Sequence, residues 1–274
     1  MPEPNAAANA ESRLPPRIIW EPDGKEMILM VGGSFAMGRD DGPENARPQH
    51  QVSLDAFYID RYPVTQAEYE RFVEATGHPL PCYQVGWVNT TEYNWDAVTH
   101  KPPIDKLDHP VVLVTWEDAR AYGAWAGKRL PTEAEWERTA RGADGRRWPW
   151  GNDPARGYCN TYGLGIGRTT AVYRFSPHGD SPEGVGDLVG NVWEWTSSLY
   201  WPYPYDAQDG REDAEAAGWR VLRGGSWFND LTVANTTARL DGDFLFFTNV
   251  GFRCAVPADK VIAVMESRTV APSR

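Results

Sequence analysis

The chain lacks the features that mark a membrane protein or a nucleic-acid-binding protein. No stretch approaches the roughly 18 consecutive apolar residues that a membrane-spanning helix requires. Its 274 residues include 27 lysines and arginines against 38 aspartates and glutamates, and no basic run is longer than Arg146-Arg147. Because proteins that bind nucleic acid through its phosphates need a basic surface, the sequence predicts neither a nucleic-acid partner nor a membrane span.

Cysteine and histidine are also scarce. Cys82, Cys159 and Cys254 are odd in number and widely spaced, which is typical of neither a disulfide framework nor a zinc site. Each is therefore interpreted as a buried or partly buried thiol. His100 and His109 are separated by prolines and do not have the spacing of a metal-binding pair. The sequence does not predict a histidine-bound iron or zinc.

Glycine, tryptophan and tyrosine are abundant, with 26, 13 and 12 residues respectively. This composition is typical of a fold in which aromatic side chains pack against turn-rich backbone, with little regular secondary structure. We predict one domain over residues 17–258, a disordered tail over 1–16, and a C-terminal tail over 259–274 that contains a helix at 259–266. The first tail has no apolar core of signal-peptide type, which favours a cytoplasmic protein.

Alternating and apolar runs predict strands at residues 27–31, 34–38, 51–60 and 170–175. A long loop over 79–110 separates the first predicted helix from the second.

Three helices are predicted from their first residues. Thr65 and Thr132 each begin a Thr-x-x-Glu capping box, and Thr115 is a third N-cap. Gly77 and Gly142 mark the ends of the first and third helices. The aromatic residues on the apolar faces of these helices are interpreted as core.

Five motifs follow one another along the chain. They are Arg-Leu-Pro-Thr-Glu-Ala-Glu-Trp-Glu at 129–137, Trp-Pro-Trp-Gly at 148–151, Gly-Asn-Val-Trp-Glu-Trp-Thr at 190–196, Arg-Gly-Gly-Ser-Trp at 223–227 and Gly-Phe-Arg-Cys at 251–254. In this order the set resembles the formylglycine-generating enzyme family, also called sulfatase-modifying factors, over roughly residues 20–256. The resemblance implies a single-domain α+β fold of the C-type-lectin-like kind.

The resemblance also implies a calcium site. In this family calcium is held partly by main-chain oxygens of the Gly-Asn-x-Trp-Glu-Trp segment, which carries over to Asp187, Gly190, Val192 and Glu194. Carboxylates and carbonyls are the hard oxygen ligands that Ca²⁺ takes. The alternative is that Glu194 only caps backbone N–H groups in a tight turn.

A second calcium site of the family would begin at Asn160 and Thr161. Its later ligands fall in a segment that is shorter here, residues 163–169, so only these two positions carry over.

The chain departs from the family at the site of oxygen chemistry. Members that oxidise a cysteine to formylglycine resemble one another in a cysteine pair just after Gly-Gly-Ser, which binds copper(I). Two thiolates are the soft ligands that copper(I) selects. The corresponding positions hold Asn229 and Ala234, and Cys254 belongs to a structural motif. The sequence therefore argues against copper and against formylglycine generation.

The segment between the last two motifs, residues 228–250, combines aromatic side chains with Asn, Asp and Thr. That combination on a rigid scaffold is typical of a binding surface, although residues 244–247 could instead fill the core. The candidate ligand-binding residues are Trp193, Ser226, Trp227, Phe228, Asn229, Asp230, Leu231, Thr232, Asn235, Asp243, Phe244, Phe246, Phe247 and Asn249.

Three functional hypotheses follow. The first is a non-catalytic module that binds a protein or a small molecule: the chain resembles both accessory domains and the variable proteins of phages and bacteria that are made by diversity-generating retroelements, which also lack the cysteine pair. The second is an oxidoreductase with a non-cysteine metal site near Ser226 and Trp193. The third is a structural subunit whose Trp87, Trp95 and residues 201–205 form one apolar patch.

Overall fold

The structure is a computed structural model that describes residues 14–83, 89–154, 156–242 and 248–269. These residues form ten β-strands and four α-helices. The strands are β1 (Arg17–Trp20), β2 (Lys25–Met30), β3 (Gly33–Met37), β4 (His50–Leu54), β5 (Phe57–Asp60), β6 (Trp193–Leu199), β7 (Arg220–Arg223), β8 (Arg239–Asp241), β9 (Val250–Phe252) and β10 (Ala255–Pro257). The helices are α1 (Gln66–Thr76), α2 (Trp116–Trp125), α3 (Glu133–Arg141) and α4 (Ala258–Thr269).

The strands of the described chain form three sheets, with the orders β1-β2-β5-β10, β3-β4 and β8-β7-β6-β9. In the third sheet β6 runs parallel to β9 and antiparallel to β7. Its register places Glu194 opposite Arg223 on one side and opposite Gly251 on the other. Three motifs that are distant in sequence therefore lie side by side in one sheet.

Two strand predictions need correction. The run 51–60 is not one strand: it divides into β4 and β5, which belong to different sheets. The division lies where Gly32 approaches the backbone closely, since a Cβ on Gly32 would lie 3.0 Å from the Ala56 nitrogen. The predicted strand at 170–175 is not formed: residues 170–171 are irregular and residues 172–175 lie in turns.

All three predicted helix starts are confirmed. The hydroxyls of Thr65, Thr115 and Thr132 each accept a hydrogen bond from the backbone N–H three residues on, and in each case the acidic side chain at that position accepts from the capping residue's N–H. The middle helix therefore also has a capping box, with Asp118 in the place of glutamate. Gly77 ends α1 in the left-handed conformation, with φ of 70°.

The aromatic residues of these helices form the core, as predicted. Tyr69 of α1 stacks on Tyr122 of α2, with ring centroids 5.9 Å apart. Phe252 of β9 contacts both rings edge-on. Trp95, from the long loop between α1 and α2, also packs against Tyr69. This cluster joins the two helices to the sheet that carries the sequence motifs.

The ends of the described chain are packed. Leu14 is buried in one cluster with Trp20 and Val261, and the Tyr58 hydroxyl donates to the Pro15 carbonyl at 2.7 Å. Residues 14–16, which the sequence assigned to the tail, therefore contact the domain. Helix α4 covers the predicted 259–266 helix. Among the described residues, none of the helices could span a membrane.

Candidate functional site

The candidate site begins where β7 ends, at a turn that only glycine permits. Gly224 and Gly225 have φ values of 96° and 80°, a region that other residues rarely adopt. A Cβ on Gly224 would lie 2.6 Å from the Leu188 carbonyl oxygen, and one on Gly225 would lie 2.7 Å from the Ala234 Cα. The Gly-Gly pair thus packs residue 234 directly beneath the turn that presents Ser226.

At the two positions of the family's cysteine pair, this chain has side chains that support the local structure. The Asn229 Oδ1 accepts hydrogen bonds from the backbone N–H and the hydroxyl of Ser226, both at 2.9 Å. The Asn249 Nδ2 donates to the same hydroxyl at 2.9 Å. Ala234 is fully buried, and its carbonyl accepts from Trp148 Nε1 at 3.0 Å. An amide that braces a turn and a buried methyl group offer copper(I) no soft ligand.

The segment after Ser226 presents several candidate residues to solvent. Phe228 is 66 % exposed, and it contacts the half-buried Trp227 edge-on at 5.8 Å. Asp230 and Thr232 are also exposed. The Asp230 carboxylate accepts from the Thr232 hydroxyl at 2.5 Å and from its backbone N–H at 2.9 Å. These bonds hold the pKa of Asp230 below its usual value, so the exposed carboxyl is ionised at neutral pH.

Sequence reasoning missed Tyr162 at this surface. Its backbone N–H donates to the Asn229 carbonyl at 2.8 Å, and its side chain is 68 % exposed. Val233 is a further exposed apolar residue of the same loop. The only signal in the sequence was that Tyr162 follows Asn160 and Thr161, positions that the resemblance singled out for calcium. We call the exposed set Tyr162, Phe228, Asp230, Thr232 and Val233 the loop surface.

Other ligand-binding candidates are not on this surface. The Asn235 amide donates to the carbonyls of Thr232 and Val233 and accepts from Thr237, so it holds the loop together from inside. Trp193 and Ser226 are buried. The half-buried candidates are Trp227, Asn229, Leu231 and Asn249. The remaining four, Asp243, Phe244, Phe246 and Phe247, lie outside the described residues.

The fold brings both predicted calcium segments together. The Asn191 N–H donates to the Asn160 carbonyl at 2.7 Å, and Asn160 Nδ2 donates to Asn191 Oδ1 at 3.1 Å. A Cβ on Gly190 would lie 2.4 Å from that Asn160 carbonyl oxygen, so only glycine fits there. The buried Val192 continues this segment into β6.

Of the two carboxylates predicted to bind calcium, Asp187 fits the ion better. It lies in the left-handed region, with φ of 59°, and it accepts from Asn191 Nδ2 at 2.7 Å. Burial raises the pKa of Asp187 to about 8. A desolvated carboxylate with one amide donor is the kind of group that a bound cation stabilises. Hard oxygen ligands are therefore present at this position.

The Glu194 carboxylate already accepts hydrogen bonds from other side chains. Arg253 Nε and one terminal nitrogen donate to its two oxygens, each at 2.7 Å, and Trp136 Nε1 donates at 2.8 Å. Neither the predicted calcium contact nor the alternative, a cap on backbone N–H groups, describes these bonds. An ion at Glu194 would have to share the carboxylate with Arg253.

The second calcium segment fits less well. Asn160 Oδ1 is buried without a hydrogen-bond partner, which leaves it free for a cation or a water. The Thr161 carbonyl, however, accepts from the Leu164 N–H at 3.0 Å, and Asn160 Nδ2 donates to the Arg168 carbonyl in the shortened segment. In the described ranges no group of three or more His, Cys, Asp or Glu side chains is arranged to hold a metal.

The cysteines do not form an alternative redox site. Cys159 and Cys254 are buried, and burial raises the pKa of Cys159 to about 12 and that of Cys254 well above its usual value. Such thiols are not ionised at neutral pH and are unreactive. Cys82 is exposed, which corrects its interpretation as a buried or partly buried thiol.

The apolar patch required by the third hypothesis does not form among the described residues. Trp95, Tyr203 and Tyr205 are buried. Tyr203 donates to Glu133 at 3.1 Å, and Tyr205 to Glu212 at 2.9 Å. Of the described candidates Trp201, Pro202 and Pro204 are exposed, and Trp87 lies outside the described residues.

Comparison with known proteins agrees with this architecture. Residues 18–258 match the sulfatase-modifying factor enzyme 1-like domain. The formylglycine-generating enzyme of Streptomyces coelicolor is 34% identical in an alignment that covers 94% of this chain and 96% of that enzyme. The inactive C-alpha-formylglycine-generating enzyme 2 of Bos taurus is 33% identical, covering 85% of this chain and 89% of that protein.

A solved structure shows the same fold. PvdO from Pseudomonas aeruginosa superimposes with a TM-score of 0.71 at 27% sequence identity, covering 89% of this chain and 98% of that one. The family and the α+β fold expected from the five motifs are confirmed. The chain belongs to the formylglycine-generating enzyme, or sulfatase-modifying factor, family.

Proposed function

We propose that this protein is a non-catalytic binding module whose loop surface binds a protein or a small molecule. The observation that carries the proposal is the structural role of the side chains at positions 229 and 234. Where catalytic relatives would have thiolates, one side chain braces Ser226 and the other is buried. Phe228, which lies between Ser226 and Asn229 in the sequence, is exposed to solvent. The local sequence is organised to present a surface rather than to bind copper.

The physical properties of the loop surface support this proposal. Tyr162 and Phe228 supply large contact areas and lose few side-chain torsions on binding. Asp230 supplies a fixed negative charge beside them. The hydrogen bonds of Asn229, Asn235 and Thr232 order the loop before any ligand arrives, which lowers the entropic cost of association. A version of the proposal in which the loop is genetically diversified predicts a reverse transcriptase gene nearby, with a template copy of codons 228–249.

Placing a photo-crosslinking phenylalanine analogue at position 228 should capture the ligand in the native host. The same analogue at Tyr173, which is exposed and outside the loop surface, is the matched control. Once the ligand is identified, Phe228→Ala should weaken its binding by about tenfold or more, as truncation of an aromatic anchor does. Equal capture at both positions, or copper-dependent oxygen uptake with a cysteine-containing peptide, would contradict the proposal.

We also propose that calcium binds beside Asp187 and stabilises the fold. A chelator should lower the melting temperature, because an ion bound only by the folded state adds stability by mass action. Asp187→Asn should abolish this response. Glu194→Ala is a poor test, since it would leave Arg253 buried without its partner whether or not calcium binds. The proposal fails if calorimetry shows one melting temperature for wild-type protein with and without chelator.

The raised pKa of Asp187 can be tested separately from calcium binding, by measuring the stability of calcium-free protein as a function of pH. Because its folded pKa, about 8, lies above the usual value of 3.8, the folded state binds a proton that the unfolded state has released. Stability should therefore fall as pH rises from about 4 to about 8. Denaturant unfolding of wild type and Asp187→Asn across this range should give a difference with that slope. A flat difference would mean that Asp187 titrates normally.

A further inference from the structure

We propose that a cleft at the N-terminus of α2, separate from the loop surface, binds a guanidinium or ammonium group. The cleft has a volume of about 430 Å³. It is lined by Trp116, Trp195 and residues 214–220. It is adjacent to β8 at Gly242, whereas the loop surface lies at the opposite end of β7.

The wall of this cleft already holds one guanidinium group. The Arg220 guanidinium lies 4.2 Å from the centre of the Trp116 ring. Its terminal nitrogens donate to the carbonyls of Ser197, Asp213 and Ala216 at distances of 2.8 to 3.0 Å. Indole faces and converging carbonyl oxygens are the groups that bind such cations. The wall is thus built from acceptors, and Arg220 is buried in it.

A second guanidinium lies across the rim. Arg120 pairs with Glu215 and donates to the Ala214 carbonyl at 3.4 Å. Both side chains of the pair are largely exposed, so the pair contributes little stability and can open without a large cost.

Two lining groups remain available to a ligand. Glu117 is exposed and has no hydrogen-bond or ion-pair partner among the described residues. Trp219 is 54 % exposed, and its ring packs against no other aromatic ring or cation in the described chain. A carboxylate and an indole on one cleft suit an organic cation, because the acid supplies charge and the ring supplies a cation–π contact.

The hydrogen bonds within the cleft favour a cation over an anion as the ligand. Of the two arginines that line the cleft, Arg220 is occupied by carbonyls and Arg120 by Glu215. The Arg220 donors are therefore taken, and an anion would have to displace Glu215 to reach Arg120. The chain carries a net charge of −11, which raises the local concentration of cations around it. The ligand chemistry is a guanidinium or ammonium group, either free or on a basic side chain of a polypeptide.

The test is a titration of the full chain, observed at the indole N–H signal of Trp219 in ¹H–¹⁵N spectra. That signal is identified by its loss in Trp219→Phe. The probes are the N-acetyl methylamides of arginine, lysine and glutamate. The arginine and lysine probes should shift the signal saturably at millimolar concentrations, and the glutamate probe should not. Glu117→Gln should weaken binding about tenfold, as loss of one charge-assisted hydrogen bond does.

Glu266→Gln, an equal change of charge on the exposed face of α4, should leave the affinity unchanged. A Gly-Arg-Gly peptide that binds more tightly than the arginine amide would identify a polypeptide as the source of the cation, and equal binding would identify a free small molecule. The proposal is overturned by equal shifts with the glutamate probe, by the absence of saturation, or by unchanged affinity in Glu117→Gln. None of these outcomes bears on the loop surface, where the variants are different.

Discussion

Replacing Lys128 by methionine should lower the free energy of unfolding by about 3–5 kcal/mol, the usual cost of breaking a buried ion pair. The Lys128 ammonium lies 2.7 Å from the carboxylates of both Asp23 and Asp60, and all three side chains are inaccessible to solvent. Asp60 also accepts from the Cys254 N–H at 2.9 Å. Without Lys128, two buried negative charges would face each other with no cation between them.

Denaturant unfolding measures this effect, and its pH dependence identifies the cause. The stranded carboxylates would bind protons more readily in the folded variant than in the unfolded chain, so the loss of stability should be largest near neutral pH and smaller in acid. Lys101→Met is the matched control: Lys101 also pairs with two carboxylates, those of Glu70 and Glu74, but at the surface. A similar loss in both variants would show that burial is not the reason.

The arrangement around Lys128 illustrates what the sequence could not provide. Asp23 and Asp60 are 105 and 68 positions away from Lys128, and nothing local to any of the three indicates a partner. The helix starts were predictable because a capping box is complete within four residues, as at Thr132 and Glu135. Features that depend on residues close together in the sequence can be predicted from it, whereas contacts that depend on the chain topology cannot.

The same distinction applies to the candidate site. The motif around Ser226 and the replacement of the cysteine pair are local, and they indicated where to look. The outward orientation of Tyr162 depends on how the 160–164 segment meets the loop after β7. The division of residues 51–60 between two sheets similarly depends on the approach of Gly32. These contacts join segments that are far apart in sequence.

The family motifs themselves are better explained by burial than by chemistry. Arg253 of Gly-Phe-Arg-Cys and Glu194 of Trp-Glu-Trp form a pair with two parallel hydrogen bonds in the core. Arg223 of Arg-Gly-Gly-Ser-Trp pairs with Glu137 of the 129–137 motif, with neither side chain accessible to solvent. Four of the five motifs therefore each supply one member of a buried pair to another motif. This interdependence gives these motifs a structural role in a chain that has Asn229 and Ala234 at the positions of the cysteine pair.

Arg253→Met should destabilise the protein at least as much as Lys128→Met, toward the upper end of the same range of about 3–5 kcal/mol. Besides its two bonds to Glu194, Arg253 donates to the carbonyls of Asp60, Arg61 and Gly186 at 2.9 to 3.1 Å. The variant would leave Glu194 with Trp136 as its remaining side-chain donor, and it would leave three carbonyls without this donor. Each buried group that loses its partner adds a desolvation penalty.

Arg253→Lys separates charge from geometry in this prediction. A lysine restores the positive charge but cannot make two parallel bonds to a carboxylate while also reaching three carbonyls. We expect it to recover only part of the stability in denaturant unfolding. Arg17→Met, at an exposed pair with Glu26, should have little effect. If Arg253→Lys were as stable as wild type, charge alone would account for the pair, and the hydrogen-bond geometry that joins these two motifs would not be what stabilises the scaffold.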